Sequence, residues 1–164
     1  MTLRIEHRAF SMSYDRLIYD LIAPVKILPL LSQPPRSNTV ATNALWDTGS
    51  QITCIKPGMS NKLSLRSYGA DDHITLSGIG GSTTASITVI NLFLTPNFVI
   101  ESCPVYVIDF PGNADVLIGM DIISMGDFVV CNADGKTSFS FAVPPFADRI
   151  NLADKADAVN NSRN

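Results

Sequence analysis

Short runs of alternating hydrophobic and polar residues recur along the chain, and this pattern predicts an all-β fold. Ten glycines and ten prolines spread over 164 residues separate the runs. Pro24 and Pro29 interrupt two neighbouring runs, which predicts outer strands there, because proline cannot donate to a central ladder. The predicted strands cover residues 9–13, 16–22, 25–31, 39–44, 52–55, 74–76, 85–89, 98–100, 105–108, 127–131 and 136–143.

One hydrophobic run ends abruptly in a carboxylate. Trp46 is followed directly by Asp47, Thr48, Gly49 and Ser50. A carboxylate beside a large apolar side chain is costly to bury unless hydrogen bonds surround it. The two hydroxyls and the glycine amide can supply those bonds. The pattern predicts a strand that delivers an acid to a tight loop.

A second informative pattern is a pair of alternating runs in residues 73–94, joined by a glycine-rich tip. The runs predict a hairpin, and the tip carries one apolar residue, Ile79, between Gly78 and Gly80-Gly81. A mobile lid and a plain hairpin both fit this tip. A phosphate-binding loop fits less well, since residues 82–89 are β-branched and lysine-free and do not open a helix.

Composition indicates one folded domain. Hydrophobic residues make up 46% of the chain and charged residues 16%. We expect an N-terminal extension in residues 1–16, a domain in residues 17–145 and a polar, flexible tail in residues 146–164, with a helical turn near 152–158. A net charge of −3 gives no basic surface for nucleic acid.

The chain has neither a signal-peptide pattern at its N-terminus nor a run of about 18 apolar residues, so we expect no membrane association and a cytoplasmic location. Cys54, Cys103 and Cys131 are an odd count without a close pair, which indicates reduced and mostly buried thiols. His7 and His73 are isolated, so no metal site and no cofactor are expected.

Asp47-Thr48-Gly49-Ser50 matches the signature of the pepsin–retropepsin class of aspartic proteases, in which a hydrophobic pair precedes Asp-Thr-Gly and then Ser or Ala. The chain resembles the retropepsin-like members over about residues 20–145, in particular small stand-alone bacterial ones. The resemblance implies a closed β-barrel, a flap at the glycine-rich hairpin and one short helix near the C-terminal end.

The resemblance also covers Leu117, Ile118 and Gly119, which match the hydrophobic-hydrophobic-Gly segment that crosses behind the active-site loop and supports it. We expect Asp121 to cap the short helix that follows and Gly126 to close it. The other acids have simpler explanations. Asp115 is expected in a turn, and residues 71–72 are expected to be a solvated acidic pair.

The function implied by the resemblance is that of an aspartic endopeptidase. Its chemistry needs two carboxylates that share a proton, whereas this chain has a single Asp-Thr-Gly, so the resemblance implies a homodimer with two copies of Asp47 across a two-fold axis. Thr48 would hydrogen-bond across the axis, and Gly49 would let the backbone approach the partner and the substrate. The implied peptide-binding residues are Gln51, Ile52, Gly78, Ile79, Gly80 and Gly81.

Three residues distinguish this chain from many viral relatives. Ser50 replaces an alanine, and a hydroxyl that donates to the ionised dyad would lower its apparent pKa and acid-shift the optimum relative to Ser50→Ala. Gln51 replaces an aspartate that contacts the substrate backbone, and Met120 replaces an arginine that helps to hold the dimer. Two alternatives therefore stay open: a dimeric peptide-binding module without turnover, and a monomer in which Asp47 is a turn residue.

Overall fold

Ten strands and three helices make up the part of this computed structural model that is described, namely residues 6–30, 39–67, 73–78, 81–148 and 151–162. The predicted all-β fold class is confirmed. The strands are β1 Arg8–Ser13, β2 Leu21–Pro29, β3 Val40–Trp46, β4 Cys54–Ile55, β5 His73–Gly78, β6 Gly81–Thr95, β7 Phe98–Val107, β8 Val116–Ile118, β9 Asp127–Cys131 and β10 Ser138–Val143. The helices are α1 Pro57–Lys62, α2 Met120–Ile123 and α3 Leu152–Asn161.

Six strands form a closed barrel in the order β2-β3-β8-β4-β7-β6, which the antiparallel pairing of β2 with β6 closes. Closure turns alternate residues inward. On β2, Ala23, Val25 and Ile27 are buried, while Pro24 and Lys26 point outward and are exposed. The barrel core is completed by Ile55, Ile90, Leu92, Val105, Val116 and Ile118, all fully buried.

The predicted outer position of β2 is wrong for half of its length. β2 is one strand that begins at Leu21, and from Lys26 to Pro29 it pairs with β6 as well as with β3. Pro24 lies opposite Asn43, before the pairing with β6 begins, so its missing N–H interrupts no ladder on that side.

β7 is likewise one strand where the sequence predicted two. Its register against β6 shifts between the pairs Ile90↔Cys103 and Leu92↔Ile100. At this bulge Ser102 has a positive φ of 51°, and its amide donates to the Asn91 side chain over 2.9 Å. The polar interruption that suggested a strand end is therefore a bulge within a continuous strand.

The predicted hairpin between residues 73 and 94 is confirmed. β5 and β6 pair in register from His73↔Ser86 to Gly78↔Gly81, and Gly81 has the positive φ, 109°, that glycine tolerates. The predicted tip residues Ile79 and Gly80 lie outside the described residues, as does the acidic pair at 71–72.

A second sheet, in the order β1-β10-β9, packs on the barrel. The predicted strand at residues 9–13 is confirmed, and it pairs with β10 from Arg8↔Val143 to Ser13↔Ser138. Phe139 and Phe141 of β10 are buried against Trp46, with ring centroids 5.5 and 5.1 Å away. Residues 8–13 thus add a strand to this sheet, and the boundary at residue 16 stays a prediction.

The helices differ in detail from the sequence prediction. Pro57 begins α1, a helix that the strand pattern did not predict, at a first helical position that proline favours. The short helix α2 begins at Met120 with Gly119 at the N-cap, so the predicted cap at Asp121 is wrong.

The C-terminal segment contains more helix than the expected turn. α3 runs through ten residues without a buried side chain, and the Asn151 side chain caps it by accepting from Ala153 N and Asp154 N. The expected flexibility of this tail stays a prediction. No helix within the described ranges has the length and apolar character needed to cross a membrane.

The three cysteines should differ sharply in reactivity, because Cys54 and Cys103 are buried and Cys131 is exposed, each as a free thiol. Burial, with a smaller contribution from the charge of Asp121, raises the pKa of both buried thiols to about 12. The thiolate is the nucleophile, so iodoacetamide at pH 8 should modify one cysteine per native chain and three after unfolding. Cys131→Ser should remove the native labelling; rapid modification of Cys54 or Cys103 would contradict this assignment.

Candidate active site

The acid loop forms directly after β3, as the sequence predicts. The Asp47 amide donates to Ile118 O over 2.9 Å, and the Ser50 amide donates back to Asp47 O over 3.2 Å. The Gly49 amide donates to Asp47 Oδ1 over 2.8 Å. The carboxylate is thereby held in one orientation by the backbone of its own loop.

Ser50 does not make the expected contact. Its hydroxyl donates to Ile52 O over 2.9 Å, across the same turn, instead of to the Asp47 carboxylate. The predicted acid shift concerns the paired dyad and stays a prediction. Thr48 and Gly49 are exposed, so the tip of the loop is available to another molecule.

The predicted support segment lies beside the loop. β8 pairs in parallel with β3, the strand that leads into Asp47, and antiparallel with β4, the strand that leaves it. Leu117 is opposite Leu45 on one side and Cys54 on the other. Residues 117–119 thus lie between the two arms of the loop. Asp115, which was expected in a turn, lies in a bend just before β8, where its carboxylate accepts a hydrogen bond from Thr42 Oγ1.

Backbone hydrogen bonds join the start of α2 to the residues that follow the loop. Met120 N donates to Ser50 O over 2.8 Å, and Asp121 N donates to Gln51 O over 3.2 Å. Gln51 is exposed and Ile52 is half-buried. Of the two residues predicted to contact a substrate, Gln51 is therefore fixed through its backbone by α2, while Ile52 O accepts from the Ser50 hydroxyl.

Thr53 and Asp121 form a side-chain network that the sequence did not reveal. Asp121 Oδ2 accepts from Thr53 N over 2.8 Å, and Asp121 Oδ1 accepts from Thr53 Oγ1 over 2.7 Å. Thr53 Oγ1 in turn accepts from Gly119 N over 3.1 Å. Thr53 is fully buried. The available signal was a threonine inside the hydrophobic run at 52–55, since a buried hydroxyl requires a partner.

The end of the hairpin extends from the barrel. β6 pairs with β7 only from Ser86 onward, so residues 81–85 pair with β5 alone. Gly78 and Gly81 form the last pair of this two-stranded arm. Of the predicted tip, these two glycines are the part that the structure describes.

The model of the family described as "Aspartyl protease" matches residues 34–122, which is more than half of the chain. The chain belongs to the aspartyl protease family. It is an aspartic-type peptidase, and the resemblance inferred from Asp47-Thr48-Gly49 is confirmed. The matched residues include both the acid loop and the segment that supports it.

Solved structures share the fold. EIAV protease complexed with the inhibitor HBY-793 is 22% identical, with a TM-score of 0.51, over 68% of this chain and 90% of that one. A retropepsin-like aspartic protease from Rickettsia conorii is 12% identical, with a TM-score of 0.53, over 87% of this chain and 98% of that one. The search of curated proteins gave no match. The retropepsin-like barrel predicted from the sequence is thereby confirmed.

Gly119 of this protease is placed where a side chain would not fit. A Cβ atom there would lie 2.4 Å from Ile52 O and 2.6 Å from Ile52 C, both backbone atoms. The close approach brings the support segment against the loop. No group of three His, Cys, Asp or Glu side chains that could hold a metal ion occurs within the described ranges.

Gly119→Ala should destabilise the protease by about 1–3 kcal/mol, because the added methyl group overlaps the Ile52 backbone. Gly58→Ala is a matched control, since a Cβ there has no heavy atom within 4 Å. Urea unfolding should separate the two variants. Equal midpoints would show that the loop shifts to admit the methyl group at no cost.

Thr53→Val should also destabilise the fold by about 1–3 kcal/mol, because it leaves the buried Gly119 amide without its acceptor. Asp121→Ala removes the other half of the network. If the two side chains act through each other, the double variant should be less destabilised than the sum of the single variants, by about 0.5–3 kcal/mol. Additive changes in the free energy of unfolding would contradict this coupling.

Proposed function

We propose that the protein is a homodimeric aspartic endopeptidase in which Asp47 of each chain supplies half of the catalytic dyad. The observation that carries the proposal is the acid loop itself. Its carboxylate is oriented by the Gly49 amide, and the loop is held from behind by Ile118. Thr48 and Gly49 at its tip are exposed. One chain therefore provides a single oriented carboxylate at a surface, which is half of a two-carboxylate site.

The chemistry follows from pairing two such loops. Two adjacent carboxylates cannot both ionise easily and share one proton. One Asp47 would act as the base that takes a proton from water, and its partner would act as the acid that protonates the scissile carbonyl oxygen. The paired site titrates as a unit, so its pH dependence belongs to the dyad and not to either residue.

An extended peptide is the substrate that suits this site. Gln51 and Ile52 follow Ser50 in the chain, and Gln51 O accepts a hydrogen bond from Asp121 N at the start of α2. The two-stranded arm that ends at Gly78 and Gly81 extends beyond the barrel, and we assign it the role of a flap. A peptide could pair with it as an added strand, while closure of the arm with Ile79 and Gly80 at its tip excludes water.

A dimeric peptide-binding module without efficient turnover is the second candidate. Gln51 and Met120 favour it, because they stand where retroviral enzymes carry an aspartate and an arginine. The orientation of the Asp47 carboxylate by the Gly49 amide favours catalysis. For either candidate, a cytoplasmic location is supported by the three unpaired cysteines, and the acidic net charge argues against nucleic acid as a partner.

Asp47→Asn should lower peptide cleavage by at least about 10²–10⁴-fold, since it removes both the acid and the base of the dyad. A peptide library digested at several acidic pH values, with products identified by mass spectrometry, would measure this. A statine-type transition-state analogue should inhibit the wild type. Asp157→Asn, the same change on the exposed helix α3, is the matched control.

Two results would contradict parts of this proposal. Cleavage that persists in Asp47→Asn at the wild-type rate would remove Asp47 from the mechanism. A wild-type protein that dimerises and binds peptides but releases no products would favour the binding module instead.

A further inference from the structure

β1 ends the small sheet β1-β10-β9 on one side, and among the described strands it pairs with β10 alone. Tyr14, which follows β1, donates its amide to Thr137 O opposite it over 2.9 Å. Because backbone groups in an antiparallel pair alternate between the two sides of a strand, the amides and carbonyls of Ala9, Ser11 and Ser13 point away from β10. These three residues are exposed. β1 therefore presents a row of donors and acceptors to which a further strand could pair.

A cavity of about 520 Å³ lies beside this free edge. β1 lines one side of it through Phe10, Ser11 and Met12, whereas none of the described residues of β10 lines it. The other side is the outer face of the barrel at β2, β3 and β6. Phe10 and Met12 pack against the core, so a strand added to β1 would also turn alternate side chains toward the barrel. The cavity is the space into which those side chains would extend.

The wall of this cavity is largely apolar and carries one cation. Lys26 is the single charged residue among the described residues that line it. It points outward from the middle of β2, with Ala41 opposite it on β3 and Phe93 opposite it on β6. None of the described lining residues has a carboxylate that could neutralise the ammonium group. The cavity is therefore complementary to a ligand that combines apolar side chains with one acidic group.

We propose that β1 and this cavity bind an extended segment of another protein as a fourth strand of the small sheet, with apolar side chains at alternate positions and a carboxylate directed at Lys26. Hydrogen bonds to the backbone of Ala9, Ser11 and Ser13 supply affinity, and the cavity selects the side chains. The site is separate from the acid loop, because neither residues 47–53 nor residues 117–121 line the cavity. The inference therefore does not rest on the proposed function.

A second copy of this chain suits the edge less well. β1 contains one charged residue, Arg8, and no acid, so pairing two β1 strands would bring no carboxylate to either copy of Lys26. The Arg8 guanidinium lies at the start of the strand, where it donates to Asn97 O over 3.3 Å. Charge complementarity thus favours a different protein segment that carries an acidic residue.

The first experiment identifies what the site binds. A phage-displayed library of random heptapeptides, which are long enough to cover the six residues of β1, is selected against the full chain with Asp47→Asn, so that bound peptides are not cleaved. Selection should enrich peptides that have apolar residues at alternate positions and one Asp or Glu in the same alternation. The Kd of an enriched peptide, synthesised with a fluorescent label, is then measured by fluorescence anisotropy.

The second experiment tests the β1 edge in the same Asp47→Asn background. Ser11→Pro should weaken binding of the enriched peptide by about 10-fold or more, because it removes an outward N–H and places a ring at the edge. The fold should persist, since proline is tolerated in an edge strand where its missing N–H would face solvent. Ser11→Ala keeps the amide and is the matched control. Circular dichroism and thermal unfolding establish that both variants are folded.

The third experiment tests the cation and leaves the backbone unchanged. Replacing the acid of the enriched peptide by its amide should weaken binding by about 2–5-fold. Lys26→Gln should abolish this difference between the two peptides. Lys155→Gln, the same change on the exposed helix α3, is the matched control and should preserve it.

The outcomes separate this inference from the proposed function. Binding that Ser11→Pro weakens, that Ser11→Ala retains and that depends on the acid through Lys26 supports the site. The absence of enriched peptides, or equal binding to Ser11→Pro and Ser11→Ala, overturns it. Self-association of the chain that Ser11→Pro abolishes would assign the edge to a second copy and also overturns it. Peptide cleavage by the wild type that is lost in Asp47→Asn supports the proposed function whichever of these results is found.

Discussion

The hydrogen bonds between residues 118–121 and the acid loop are the contacts on which the rest of the site depends. A short loop that carries a carboxylate cannot fix its own position, because it has few side chains to pack. Here Ile118 O accepts from Asp47 N, and Ser50 O and Gln51 O accept from the amides that begin α2. The loop is thereby attached to the wall of the barrel on both sides of the carboxylate.

This attachment requires two unusual packing features. Gly119 must lack a side chain, since the Ile52 backbone occupies the space beside it. The fully buried Thr53 must be surrounded by hydrogen-bond partners, which Asp121 and the Gly119 amide provide. Fully satisfied buried polar groups of this kind favour one arrangement of the backbone over its alternatives. The barrel therefore fixes the loop through a few specific contacts in addition to general hydrophobic packing.

Local patterns in the sequence predicted the parts of this structure that depend on neighbouring residues. The strand before Asp47, the glycine-rich hairpin and the Asp-Thr-Gly loop are all of this kind. Contacts between distant residues were not predictable in the same way: Thr53 and Asp121 are 68 positions apart, and nothing in either local pattern indicates the other.

Ser102 and Pro24 show a second limit, because a polar or proline residue inside a strand resembles a strand end until the neighbouring strands are known. The Ser50 hydroxyl donates to Ile52 O. This acceptor could not be predicted, because it depends on the path that the backbone takes through the turn.

Trp46 gives the protein a spectroscopic reporter at its most informative position. It is the single tryptophan in the chain and directly precedes Asp47, and its indole is buried against the rings of Phe128, Phe139 and Phe141. Within the described residues its Nε1–H has no acceptor. Because indole emission depends on the polarity around the ring, changes at the acid loop and at β9 would both alter the same fluorescence signal, without any added label.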